Sequence, residues 1–319
     1  MSLPTLVVHA DWSMRPERRW MCVAELRGGD RYMVSDPEPV GPPESLLARM
    51  ATRARATGGE ARVLVGIDVP IGLPSAYAER AGIDSFLTAL PVFGREAWTN
   101  FYRVAEGPEE ISALRPFYPK RPGGARQEHL LQSLEVHDMC ALLRRVERAT
   151  EHRAAAAPVF WTIGARQVGK ATITAWRDVL APALSVTDGD VAVWPFDGRL
   201  HDLLARHRVT IAEVYPAEAC VQLGLGPPGR VWSKRSRHDR GSHAGALDQW
   251  ARSRGDRLTP TLVASIRDGF GDRPDAEDRF DSVVALLSMI DVVRGYRSEG
   301  APDDDEIRGI EGWILGQAP

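Results

Sequence analysis

Cysteine is scarce in this chain: Cys22, Cys140 and Cys220 lie far apart with no Cys-x-x-Cys pair. That excludes a disulfide framework and a cysteine-based zinc site, and predicts three buried, reduced thiols. Long apolar runs are also missing. Nowhere do about eighteen apolar residues follow one another, so no spanning helix is predicted. The opening "MSLPTLVVHADWS" has too short an apolar run and too little positive charge for a signal peptide, and a cytoplasmic protein is expected. Strong charge of either sign is absent. A formal net charge of −3 gives no global attraction to nucleic acid, so any such contact must come from a local patch. A complete phosphate-binding loop is lacking too. "GARQVGKAT" has Gly164 and Gly169-Lys170 at the right spacing, yet Ala171 stands where a hydroxyl is needed for Mg²⁺. There is no internal repeat, and the only biased tracts are "RAAAAP" and "PDDDE".

What is present suits a soluble α/β domain. With 319 residues and 44% hydrophobic composition, the chain can bury one substantial core. "TLVVHADWS" reads as a strand, and "RRWMCVAELRGGDRYMVSD" as two more around the turn Gly28-Gly29-Asp30. "PPESLLARMATRARATGG" carries helical spacing at Leu46, Leu47 and Met50, and "ARVLVGIDVPIGLP" is a continuous apolar run that fits a strand buried on both faces. Strand, strand, strand, helix, strand is the order, and the helix can carry a crossover to a parallel strand.

Further on, helical pieces are predicted around 75–90, 108–114 and 127–152, within a mostly helical insertion of about 75–160. "VGKATITAWRDVLAPAL" predicts a helix, "DVAVWPF" and "VTIAEVYP" strands, and "PAEACVQLGL" a helix from Pro216. "VWSKRSRHDRGSH" is basic without apolar periodicity and is expected as a loop. Helices follow across 243–254, 259–269 and 276–296, and the apolar end of "DDDEIRGIEGWILGQ" is expected to pack back on the domain.

The chemistry is carried by acids. Asp11 follows "LVVHA", Asp68 follows "VLVGI", Glu213 sits in "TIAEVYP", and Asp278 and Asp281 head the last helix at i and i+3, on one face. A carboxylate at the end of an apolar strand loses hydration and needs a partner, a metal or a proton. If the strand ends meet, Mg²⁺ or Mn²⁺ suits the hard oxygen ligands better than zinc. Each acid also has a plainer reading: Asp11 and Asp68 as turn formers, Glu213 as partner of backbone N–H groups or an arginine, Asp278 and Asp281 as favourable charge at a helix start. Lys170 and Arg166, before a helix, and Lys234, in the basic stretch, are candidate phosphate ligands. His238 and His243 are loop histidines that could shuttle protons.

Together "HADWS", "GIDVPIGLP", "AEVYPAEA", "RFDSVVALLSMIDV" and "IEGWIL" resemble the family called domain of unknown function 429, a set of predicted nucleases with a ribonuclease H-like fold. The resemblance runs from about residue 5 to residue 315, in the family's order. It implies a mixed five-stranded sheet of three antiparallel then two parallel strands, flanked by helices, in a single domain over 1–319. It also implies an acidic active site at Asp11, Asp68 and Asp281, with Asp278 and Glu213 beside them. A metal-dependent nuclease or phosphodiesterase using Mg²⁺ or Mn²⁺ on nucleic acid or another phosphodiester is the expected activity. A non-catalytic binding module on the same fold, its acids held by arginines, and an actin-like ATP-dependent phosphotransferase are the alternatives.

Overall fold

The computed structural model describes residues 3–28, 30–58, 60–150, 154–164, 167–185, 189–225 and 232–319. In chain order the first half comprises β1 (Leu6–Asp11), β2 (Trp20–Arg27), β3 (Arg31–Val34), β4 (Glu38–Pro39), α1 (Leu46–Ala56) and β5 (Val63–Ile67). Between β5 and the next strand the chain is helical: α2 (Ser75–Ala81), α3 (Phe86–Ala89), α4 (Gln127–Ser133), α5 (Gly169–Ala175) and α6 (Ala181–Leu184). There follow β6 (Val191–Val193), α7 (Leu200–Arg206), β7 (Val209–Glu213), α8 (Pro216–Gln222), α9 (Arg237–Ser242), α10 (Ala244–Arg254), β8 (Arg257–Leu258), α11 (Pro260–Arg267) and α12 (Ala276–Val293).

All are organised by one mixed sheet in the order β6-β7-β5-β1-β2-β3-β8, with β4 paired to β2. The α/β class stands as expected. β1, β2 and β3 are antiparallel, and β5 and β7 add parallel to β1. The sheet is larger than five strands, because the short β4, β6 and β8 extend it. β6 falls within the predicted strand "DVAVWPF", whereas the two-residue β4 and β8 carry too little pattern to be read from sequence.

Register decides which residues share a face. Leu6, Val8 and Ala10 on β1 pair with Val63, Val65 and Ile67 on β5, which pair in turn with Val209, Ile211 and Glu213 on β7. This set faces one apolar core, built with the helical segment between β5 and β6. The alternate set, including Val7, Leu64 and Ala212, faces a second core built around α12. Since side chains alternate along a strand, both faces of β1, β5 and β7 are buried, and their sequences are apolar throughout. α12 lies close on its face because Gly66 has no side chain: a Cβ there would stand 2.6 Å from Met289 Sδ and 2.7 Å from Val214 Cγ2.

The helical segment extends from Ser75 to Leu184, past the expected limit near 160. Its core is aromatic, with Phe93 stacked on Phe101 at 3.7 Å between ring centroids and the Trp176 indole N–H donating to Pro70 O at 2.7 Å. A wider π turn over Trp176–Leu180 joins α5 to α6, so the predicted helix there is continuous. Three expectations need correcting. The predicted helix over 127–152 stops at Ser133, where Glu135 takes a positive φ of 53°, and only single turns follow. "RSRHDRGSH" is no loop: Ser236 caps α9 by accepting from the Asp239 N–H, and buried Arg240 ties the helix to the carbonyls of Gly269 and Gly271. Cys140 is exposed, whereas Cys22 and Cys220 are buried thiols.

Residues beyond α12 close the structure as expected. Trp313, Ile314 and Leu315 are buried, and Ile314 forms a parallel bridge with Glu213. The closure needs Gly72, at φ 138°, where a Cβ would fall 2.0 Å from Glu311 O. Gly72→Ala is therefore expected to destabilise the protein by about 3 kcal/mol or more, seen as a lower urea midpoint with unchanged slope. An unchanged midpoint would show that the contact can relax. Among the described residues, no helix is long and apolar enough to cross a membrane.

Candidate active site at the carboxyl ends of the parallel strands

β1 ends at Asp11, and Ala10 pairs with Ile67, the last residue of β5. The Asp68 N–H then donates to Ala10 O at 3.0 Å, so the two aspartates leave the sheet side by side. By strand parity both leave toward the α12 face. Asp281, one turn into α12, lies over them and contributes to the field at both. In an open α/β sheet this carboxyl edge is where ligands bind.

The electrostatics are those of crowded acids. Burial, followed by the charges of Asp281, Asp68 and Asp278, holds the Asp11 carboxyl well above the usual carboxylate range. Burial and the Asp281 charge push Asp68 up to about 8. Asp281 is raised by burial even though Lys234 opposes the shift. Lys234 Nζ stands 2.5 Å from Asp281 Oδ2, and Asp281 Oδ1 is buried with no hydrogen-bond partner. Among the described residues, neither Asp11 nor Asp68 has an ion-pair partner of its own; Arg18, Lys234 and Arg144 pair instead with Asp278, Asp281 and Glu213.

Asp278 lies on the same face of α12 but is held by Arg18, whose Nε is 2.5 Å from Oδ2 and whose Nη2 donates to Oδ1 at 3.0 Å. Glu213 leaves the sheet on the other side. It pairs with Ile67, so its side chain starts toward the opposite face from Asp11 and Asp68, although it lines one cavity with Asp68 and its charge adds to the rise of the Asp68 pKa. There both its oxygens are engaged: Arg144 Nη1 and Nη2 donate at 2.7 and 2.6 Å, and the Ile71 N–H donates at 2.7 Å. Of its alternatives, the structure gives Glu213 the arginine and the backbone N–H together. Its place is that of a support beneath the strand ends.

The candidate phosphate ligands separate. Lys234 is at the rim, on Asp281. Lys170 donates to Lys120 O at 3.4 Å, and among the described residues it has no ion pair with an acid of the rim. Arg166 lies outside the described residues. His238 is exposed on α9, and His243 is buried with its ring 4.3 Å from that of Trp232.

Sequence reasoning missed Arg144, which is fully buried and central. It binds Glu147 and Glu213 and donates to the carbonyls of Ile71 and Glu311 at 3.2 and 2.9 Å. Glu311 carries the closure further, accepting from Ser75 Oγ at 2.8 Å and from the Arg145 N–H at 2.7 Å. His9, two residues before Asp11 on the same face, was missed as well; burial lowers its pKa to about 3, so it stays neutral beneath the acids.

The donor set suits a hard divalent cation, because buried carboxylates with raised pKa values and an orphaned Asp281 oxygen gain most from added positive charge. Among the described residues, no three His, Cys, Asp or Glu side chains are already gathered as a ligand cage. Holding an ion there requires side-chain rotation and release of Asp281 by Lys234. Comparison with protein-family models, with curated proteins and with solved structures finds no match.

Proposed function

We propose that the protein is a metal-dependent phosphodiester hydrolase, a nuclease of the ribonuclease H-like kind, and a relative of the domain of unknown function 429 family. The observation that carries this reading is the convergence of Asp11, Asp68 and Asp281 from two neighbouring strand ends and the start of α12. The three-antiparallel, two-parallel order of the principal strands supports the fold assignment. Asp11, Asp68 and Asp281 would hold Mg²⁺ or Mn²⁺, which when bound supplies the charge that polarises water and steadies the leaving oxygen. Asp278, fixed by Arg18, adds negative potential. Lys234 supplies the positive charge that faces a phosphate at the rim, and the Arg144 network keeps the strand ends in place.

The test is incubation with single-stranded, duplex and branched DNA and RNA in the presence of Mn²⁺, alongside calorimetric titration of Mn²⁺. Cleavage and binding are expected; absence of both overturns the reading. Lys234→Met separates the two roles of the lysine. Loss of the unit charge that stands 2.5 Å from Asp281 Oδ2 favours a second cation, so Mn²⁺ is expected to bind about tenfold or more tightly while cleavage falls. Weaker Mn²⁺ binding would show that Lys234 organises the acids instead of competing with the ion.

A second reading, a non-catalytic binding module, is favoured by the cations already placed on Asp278, Asp281 and Glu213. Among the described residues, Asp11 and Asp68 have no such partners, which favours the hydrolase.

A further inference from the structure

Beside the carboxylate rim lies a cavity of about 430 Å³, between the strand ends and the helical segment. Asp68 belongs to both the rim and the cavity. The walls are largely apolar: Trp12, Pro70, Ala156, Ala171 and Ile314. Trp12 is a fixed wall, its indole N–H donating to Thr174 Oγ1 at 3.0 Å and its ring covered by Arg19 at 4.6 Å. Two acids, Glu147 and Glu213, also line the space, and both are bound to Arg144.

Composition decides what can enter. Among the described lining residues there is no lysine and no arginine, so a phosphate group gains nothing there. The volume falls in the range of small-molecule sites, and the mixture of apolar walls with a few polar groups is that of such sites. Tyr215 and Trp12 offer aromatic surface, and the exposed Gln167 amide can both donate and accept along the edge of a planar ring. A base stacked and paired within a duplex cannot reach such a recess; an unpaired or extruded one can.

We propose that this cavity binds one unpaired nucleobase of the substrate, adjacent to the phosphate that the rim receives. The substrate class is then a single-stranded or locally opened polynucleotide, or a small nucleotide phosphodiester, with a neutral planar base as the shared element. Placement of the phosphate rests on the hydrolase reading; binding of the base does not.

The test uses a trinucleotide with central 2-aminopurine, titrated by fluorescence in EDTA so that no cleavage occurs. Saturable binding is expected, weakened at least tenfold by Ala171→Trp and by Ala156→Leu, each checked for an unchanged thermal midpoint, and weakened similarly when the central residue is abasic in competition with wild type. Equal affinity of the abasic competitor, or unchanged affinity in every folded variant, overturns the proposal. The abasic arm needs no variant and stands if both substitutions misfold. Competition by 2-aminopurine nucleoside monophosphate as tight as by the trinucleotide identifies a small nucleotide as the ligand, and much weaker competition identifies a strand. Base binding without any Mn²⁺-dependent cleavage removes the hydrolase and leaves the cavity assignment. Cleavage indifferent to an abasic site does the reverse.

Discussion

Asp68→Asn is expected to abolish Mn²⁺-dependent cleavage, by about 10³-fold or more, while making the metal-free protein more stable at pH 8. The sign follows from the raised pKa. In the unfolded chain Asp68 ionises near pH 4, whereas burial and Asp281 hold the folded group at about 8. Its favourable contribution to folding is therefore complete below about pH 4 and is lost as pH rises through about 8. Asparagine cannot ionise, so the variant escapes this loss. Thermal midpoints measured from pH 4 to pH 8 should diverge, with the variant higher at the alkaline end. Mn²⁺ should restore the wild type at pH 8 and leave the variant almost unmoved, since binding to the folded state alone is what stabilises it. Parallel pH profiles would mean that Asp68 does not bear the charge conflict.

Arg144→Ala is expected to have the largest cost in stability, about 3–5 kcal/mol, because it leaves Glu147 and Glu213 buried without their cation. Burial raises the pKa of Glu147 even with Arg144 beside it, so removing the guanidinium pushes it further the same way. Adding Glu213→Gln to Arg144→Ala should recover part of the loss, since one of the abandoned charges is gone. Denaturant midpoints of the two single variants and the double variant measure the coupling. Strictly additive losses would show that the pair is not an energetic unit.

The strands and most helices were legible because their apolar runs and turn residues are local signals. β1, β5 and β7 were readable even as continuous runs, and α12 from its acidic start. Facing was not legible. A strand buried on both sides lacks the alternation that would tell one face from the other, so Glu213 could not be separated from Asp11 and Asp68 until Ile67 was seen opposite it. Arg144 gave no signal for a related reason: beyond Glu147, two of its partners lie 69 and 167 residues away, and nothing in "LLRRVER" marks one arginine as buried. α9 was hidden because tertiary contacts from Arg240, and not an apolar stripe, hold it in place. At the site, proximity of the aspartates was foreseeable from strand ends, but the lysine on Asp281 depends on a loop whose path only the folded chain defines.

The bond between Arg144 and Glu311 O, together with the bridge from Ile314 to Glu213, has a consequence for synthesis. A ribosome makes Asp11 and Asp68 early, but their surroundings stay incomplete until residues 281 and 311–315 have emerged. Until that moment the nascent polypeptide carries two of its aspartates with neither the helix that crowds them nor the belt that fixes their strands. The carboxylate rim is thus assembled late, when translation of this region is nearly over.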